Sequence, residues 1–123
     1  MNYCKSNYAV FHKYSLSYLP TINLFGLSQY YIDSKVEFSG DAYYKLDCVQ
    51  NQTTNYGLSF QWVLLRDQIE LPHVYSIAKN PMNFVVDPYQ LDVGNYVVEL
   101  HVISNLYPNA SIIHVKEFSI IAS

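Results

Sequence analysis

Charge is the scarcest property of this chain. Only 14% of its 123 residues are charged, seven Lys and Arg against ten Asp and Glu, and no run of basic residues occurs anywhere. Nucleic acids and anionic membrane surfaces are bound through basic patches, so neither is expected as a main partner. With four Gly in the whole chain there is no Gly-rich phosphate loop, and no Ser stands in a nucleophile-elbow pattern. No window approaches the roughly eighteen consecutive apolar residues that span a bilayer. The N-terminus also lacks the charged start and short apolar core of a signal peptide. If the chain is exported, its targeting signal is expected outside these residues, with Met1 internal to something longer or set by where a segment was cut.

Catalytic and metal-binding constellations are equally thin. The Cys residues have no nearby His in sequence. His12, His73, His101 and His114 are scattered at no metal-ligand spacing, although His101 and His114 would become neighbours if their two strands paired. Two histidines alone do not complete a zinc site. Asp67 and Glu70 make a carboxylate pair only inside what reads as a solvated loop beside Arg66. Asp47, Asp87 and Asp92 are too dispersed for calcium. No enzyme activity, cofactor or metal is expected.

What the chain does have is apolar and aromatic mass. Half of its residues are hydrophobic, and thirteen Tyr and six Phe stand against one Trp. That much apolar side chain can close a single core at this length, and tyrosine favours strands because its ring packs while its hydroxyl stays wet.

The pattern is of strands throughout. Leu58, Phe60, Trp62 and Leu64 alternate with Ser59, Gln61 and Val63, which is the period of a half-buried strand. Tyr96, Val98, Leu100 and Val102 repeat it, with Glu99 and His101 on the other face. Tyr44, Leu46 and Cys48 do so against Tyr43, Lys45 and Asp47. Weaker strands are predicted at Asn23–Leu27, Lys35–Phe38, Asn83–Val86 and Ser111–Ile121, the last with a bulge near Lys116-Glu117 where its apolar parity changes. Turns are predicted at Ser39-Gly40-Asp41, Asn55-Tyr56-Gly57, Asn80-Pro81 and Pro108-Asn109.

Cys48 and Trp62, fourteen positions apart, fall on the inward sides of their strands, as does Val98. Together with the run Asp92-Val93-Gly94-Asn95-Tyr96 this points to an all-β, immunoglobulin-like β-sandwich of about seven strands, in which Cys48 and Trp62 mark strands B and C. Tyr96 then forms a tyrosine corner at the start of strand F, its hydroxyl bonding to main chain near Tyr89 to Leu91. Asp92 and Gly94 shape the turn, Gly94 through a positive φ. Trp62 invites a reading as a ligand platform, but its parity with Leu58, Phe60 and Leu64 favours the core. Residues 21–123 are expected to form this domain. Residues 1–20, where Val10, His12, Tyr14, Leu16 and Tyr18 alternate with polar residues, are either its first strand or the end of a preceding domain and a connector.

Three stretches carry a family resemblance: Asp41-Ala42-Tyr43-Tyr44-Lys45-Leu46-Asp47-Cys48, Leu58-Ser59-Phe60-Gln61-Trp62, and Leu91-Asp92-Val93-Gly94-Asn95-Tyr96. Over roughly residues 22 to 123 the chain resembles the Ig-like modules, of PKD-repeat type and running into the receptor-for-egg-jelly (REJ) region, in the ectodomains of polycystin-1-like proteins. One departure is plain: PKD repeats usually follow the core Trp with Asp-Phe-Gly-Asp-Gly, whereas Trp62 is followed by Val63-Leu64-Leu65-Arg66. The resemblance is therefore to a divergent repeat or a neighbouring REJ-type module.

An antibody-type bridge would need Cys at position 98, where this chain has Val. Two accounts of Cys48 stand open: a bond to Cys4, which by closing a loop of over forty residues would contribute roughly 3–4 kcal/mol in an oxidising compartment, or a small buried apolar side chain with Cys4 free or paired elsewhere. The sequons Asn51-Gln52-Thr53 and Asn109-Ala110-Ser111 fall in predicted loops, where glycans would be carried clear of the core in a secreted chain.

The resemblance implies a non-catalytic extracellular module of a large membrane protein, acting as spacer, mechanical element or adhesion surface. Its partners would be neighbouring Ig-like or REJ domains and a protein or glycan ligand, with membrane contact only through other parts of the protein. Solvent-facing Tyr43, Tyr56, Tyr89 and Tyr107 would supply contact area at low entropic cost. The alternative is a free-standing secreted binding domain, a decoy or an accessory carbohydrate-binding module.

Overall fold

The computed structural model describes residues 20–45, 53–54, 57–105 and 111–123, and among them every regular element is a strand. In chain order these are β1 (Thr21–Gly26), β2 (Gln29–Tyr31), β3 (Val36–Lys45), β4 (Thr53–Thr54), β5 (Leu58–Arg66), β6 (Ile69–Glu70), β7 (Asn83–Val86), β8 (Gly94–Ser104) and β9 (Ile112–Ile121). They form two sheets. The smaller is built on β3, which pairs antiparallel with β1, β4 and β7. The larger has five strands in the order β2-β9-β8-β5-β6, antiparallel except where β2 runs parallel to β9. With β1, β3 and β7 in positions A, B and E and β5, β8 and β9 in positions C, F and G, the architecture is an immunoglobulin-like β-sandwich.

Alternation places the core. In β8 the even-numbered Tyr96, Val98, Leu100 and Val102 are buried, the last three to 0% exposure. Each such side chain contributes roughly 1.5–3 kcal/mol on removal from water. From the facing sheet come Val36, Phe38 and Ala42 of β3 and Phe84 and Val86 of β7. Phe118 of β9 is the hub of the aromatic part: its ring centroid lies 5.0 Å from Phe38, 6.0 Å from Tyr30 and 5.4 Å from Tyr96. Such edge and stacked contacts add to the burial of apolar area.

Three local expectations are corrected. No turn forms at Ser39-Gly40-Asp41; the predicted strand at Lys35–Phe38 and the one leading to Cys48 run on as a single β3. Gly40 is inward-facing, and a Cβ there would lie 2.4 Å from Leu100 Cδ2 and 3.4 Å from Trp62 Cζ2. The glycine serves close approach of the two sheets rather than reversal of the chain. Nor is there a bulge at Lys116-Glu117, because β8 and β9 keep one register from Gly94↔Ile120 to Val102↔Ile112. The change of apolar parity has another cause: Ile113 and Val115 point outward, Phe118 and Ile120 inward. Finally, Asp67 and Glu70 do not share a loop. Asp67 and Gln68, at φ 53° and 66°, make a two-residue hairpin between β5 and β6, and Glu70 is in β6. Two successive left-handed residues are the type I′ geometry whose twist suits a tight hairpin.

Other expectations hold. Strand β7 coincides with the predicted Asn83–Val86. The Asn80-Pro81 turn closes with Asn83 N–H donating to Asn80 O at 2.9 Å, and Met82 N–H donates to Asn80 Oδ1 at 2.9 Å. The predicted turn at Pro108-Asn109, most of Asn55-Tyr56-Gly57, and the approach to Cys48 lie outside the described residues.

Candidate functional site

Two places in the molecule bring polar and aromatic side chains together: the corner before β8 and the outer face of the larger sheet. At the corner, the Tyr96 hydroxyl donates to the Asp92 carbonyl at 2.7 Å and accepts from Arg66 Nη1 at 3.0 Å. The acceptor is thus Asp92, not the stretch Tyr89 to Leu91. That stretch is committed elsewhere, for Tyr89 is left-handed at φ 65° and its N–H donates to Ile32 O. Arg66, at the end of β5, also donates from Nη2 to Val93 O at 3.1 Å, and its guanidinium lies 5.2 Å above the Tyr96 ring. Burial pushes the Tyr96 hydroxyl above its ordinary phenolic pKa, and the guanidinium opposes part of that shift.

Gly94 opens β8 at φ 158°, the positive value expected of it and one that L side chains rarely adopt. A Cβ there would lie 2.8 Å from Arg66 Nη2, and the glycine leaves room for the guanidinium to cross. The corner fastens β5 to the approach of β8. Arg66 is its unforeseen member, since no local pattern links it to residues about thirty positions on.

Trp62 is half-buried. Its indole N–H donates to Pro81 O at 2.9 Å and its ring lies 5.6 Å from Phe84. The indole is engaged by β7 and by the turn that leads into it, an arrangement that positions a core residue and not a ligand platform.

The outer face of the larger sheet is different in kind. Register sets its side chains in rows across β5, β8 and β9: Val63 beside Glu99 beside Val115, and Gln61 beside His101 beside Ile113. Ile103, Ile113 and Val115 are 38%, 54% and 51% exposed. Glu99 and His101 stand at the centre and engage each other, imidazole Nε2 to carboxylate Oε1 at 2.9 Å. The two central polar groups thus engage each other, with Ile103, Ile113 and Val115 exposed around them and Ser59 and Gln61 on the β5 side. At the far end, beyond Val97, a cleft open to solvent is lined by polar side chains including Asp67, Asn95, Glu117 and Ser119. The smaller sheet turns Glu37, Ser39 and Asp41 outward instead.

The remaining sequence candidates do not converge. His101 and His114 lie on adjacent strands but opposite faces, because Leu100, not His101, is across from His114. Among the described residues no group of three or more His, Cys, Asp or Glu is placed to hold a metal ion. No helix among them is long and apolar enough to cross a membrane. Tyr89 is 71% exposed and Tyr43 half-buried. Tyr56, Tyr107, the sequon asparagines Asn51 and Asn109, and Cys4 and Cys48 lie outside the described residues.

No protein-family profile matches the chain, and no curated protein does. Among solved structures it is similar to murine CRIg, with a TM-score of 0.45 and 11% identity over 85% of this chain and 98% of that one. The fold assignment rests on the strand pairing described above.

Proposed function

We propose that the chain supplies a non-catalytic, extracellular Ig-like binding module, with residues 21–123 as the module and residues 1–20 as its first strand or its connector to a preceding domain. The observation that carries this reading is the outer face of the larger sheet. Exposed Ile103, Ile113 and Val115 around a Glu99–His101 pair hydrogen-bonded to itself suit a flat partner surface and give no purchase to a small polar substrate. The finer part of the proposal takes up the resemblance of the sequence to polycystin-1-like ectodomains, where such a module would act as spacer and adhesion surface beside neighbouring Ig-like or REJ domains.

Binding to an array of cell-surface ectodomains and glycans tests the face. Ile113→Asp should abolish any signal and Asn83→Asp on the smaller sheet should leave it unchanged; a signal indifferent to the first variant would reject the face as the binding surface. Placement outside the cell is tested separately, by unreduced peptide mapping of the chain expressed with its own flanks in secreting eukaryotic cells. Glycan on Asn51 or Asn109 and a linked Cys4–Cys48 peptide are the expected result. Bare asparagines with two free thiols would overturn it.

A further inference from the structure

Among the described residues, the larger sheet has an edge that is only partly covered. β2 pairs with β9 at Ser119 to Ile121, and over residues 112–118 the side of β9 away from β8 has no strand partner among the described residues. The direction of the main-chain groups there follows from the bonds to the β2 segment. Ser119 N–H donates to Ser28 O and Ile121 O accepts from Ile32 N–H, so odd-numbered residues of β9 turn both groups away from β8. Ile113, Val115 and Glu117 therefore present N–H and C=O along the open edge. Edges of this kind are normally blunted by proline, a bulge or charge. This one holds unbroken register with β8 and contains no proline, and its charges, Lys116 and Glu117, lie together next to the covered end.

We propose that the open edge of β9 is a homodimer interface, two copies pairing antiparallel about a twofold axis at His114. The register is chosen by complementarity. With His114 opposite itself, Ile113 meets Val115 of the partner subunit, twice over, on the outer face, and both pairs exchange two main-chain hydrogen bonds. Lys116 then faces Ile112 and Glu117 faces Ser111, so no like charges meet across the seam. Centring on Val115 instead would break up both Ile113–Val115 pairs and set each Lys116 against His114 of the partner subunit. The contact is isologous and closes at two copies. It also makes the two larger sheets continuous, with the Ile113 and Val115 side chains meeting at the join of their outer faces. The pairing concerns the sheet edge and stands apart from the proposed face binding: either holds without the other.

The test is sedimentation of the full chain over a concentration series. Val115→Pro removes an N–H that points to the open edge and so costs no bond to β8. His114→Lys keeps an exposed position and sets like charges against each other on the axis. A concentration-dependent dimer is expected, weakened at least about tenfold by either substitution, the loss of one or two hydrogen bonds or their electrostatic equivalent. Melting midpoints extrapolated to dilute chain should match, and if the proline variant fails to fold the lysine variant decides. A monomer at every concentration, or a dimer of unchanged strength in either folded variant, overturns the proposal. So does a monomer whose amides at 113, 115 and 117 resist hydrogen exchange, since some other strand would then occupy the edge.

Discussion

The two halves of β9 share one strand and one register yet have opposite surroundings. From Phe118 to Ile121 the strand lies between β8 and β2, with Phe118 and Ile120 only 2% exposed. From Ile112 to Glu117 it is paired on the β8 side, and Ile113 and Val115 face outward. Each half carries three large apolar residues, Ile112, Ile113 and Val115 against Phe118, Ile120 and Ile121, so the presence of apolar side chains does not by itself decide burial here. What decides it is which face of the pleat the apolar residues occupy and whether the facing sheet reaches that far. A strand can thus be scaffold at one end and surface at the other.

The contrast can be broken most forcefully at Phe118. Phe118→Ala should cost about 3–5 kcal/mol, because its ring meets three other aromatic rings and the cavity cannot collapse around a closed sandwich; urea unfolding measures it. Next is the clamp that ties β2, the neighbour of this half, to β3 of the facing sheet. The buried Tyr30 hydroxyl accepts from Leu27 N–H at 2.9 Å and donates to Glu37 O. Tyr30→Phe strands both groups and should cost about 1–3 kcal/mol, with faster hydrogen exchange at Ser119 and Ile121. Tyr96→Phe should cost about 1 kcal/mol or more, through the Asp92 carbonyl and Arg66. An unchanged melting midpoint would count against the corner.

Both tyrosines sharpen the comparison through pH as well. Burial raises each above the ordinary phenolic value of 10.0. Their stabilising contribution is complete below that value, because both states hold the proton. As pH climbs past it the unfolded chain releases protons that the folded chain retains, and stability falls until the folded hydroxyls titrate too. Unfolding free energies between pH 9 and about 11 should decline less steeply in either Phe variant. The smallest effect belongs to the open half: in chain dilute enough to be monomeric, Ile113→Ser should change stability by about 0.5 kcal/mol or less. A larger loss would show that this half is buried by something in the monomer.

Much of the fold was legible because its signals are local. The period of Leu58 to Leu64 and of Tyr96 to Val102 depends only on which way each side chain points, and the turn at Asn80-Pro81 carries its own chemistry. The failures share the opposite property. Gly40 reads as a turn until Leu100 and Trp62 are seen to fill the space of its missing side chain. Asp67-Gln68 lacks the glycine that usually announces a type I′ hairpin. β2 is three residues long and exists through its pairing with β9. The outer face was half visible: Glu99 and His101 were placed opposite the core, but the exposed Ile113 and Val115 beside them were mistaken for a bulge in β9, since parity alone does not distinguish an outward apolar stripe from a slipped strand. Of the tyrosines expected at the surface, Tyr89 is exposed and Tyr43 half-buried.

The parallel pairing of β2 with β9 has a consequence for tension. The chain runs the same way through β2 and β9, so tension carried into β2 and out of β9 slides the two strands along their common axis. The bonds from Ser119 to Ser28 and from Ile32 to Ile121 lie across that direction and are strained together. A hairpin pulled from its open end gives way one bond at a time; this seam, short as it is, must shear as a unit, and Tyr30 pins its middle.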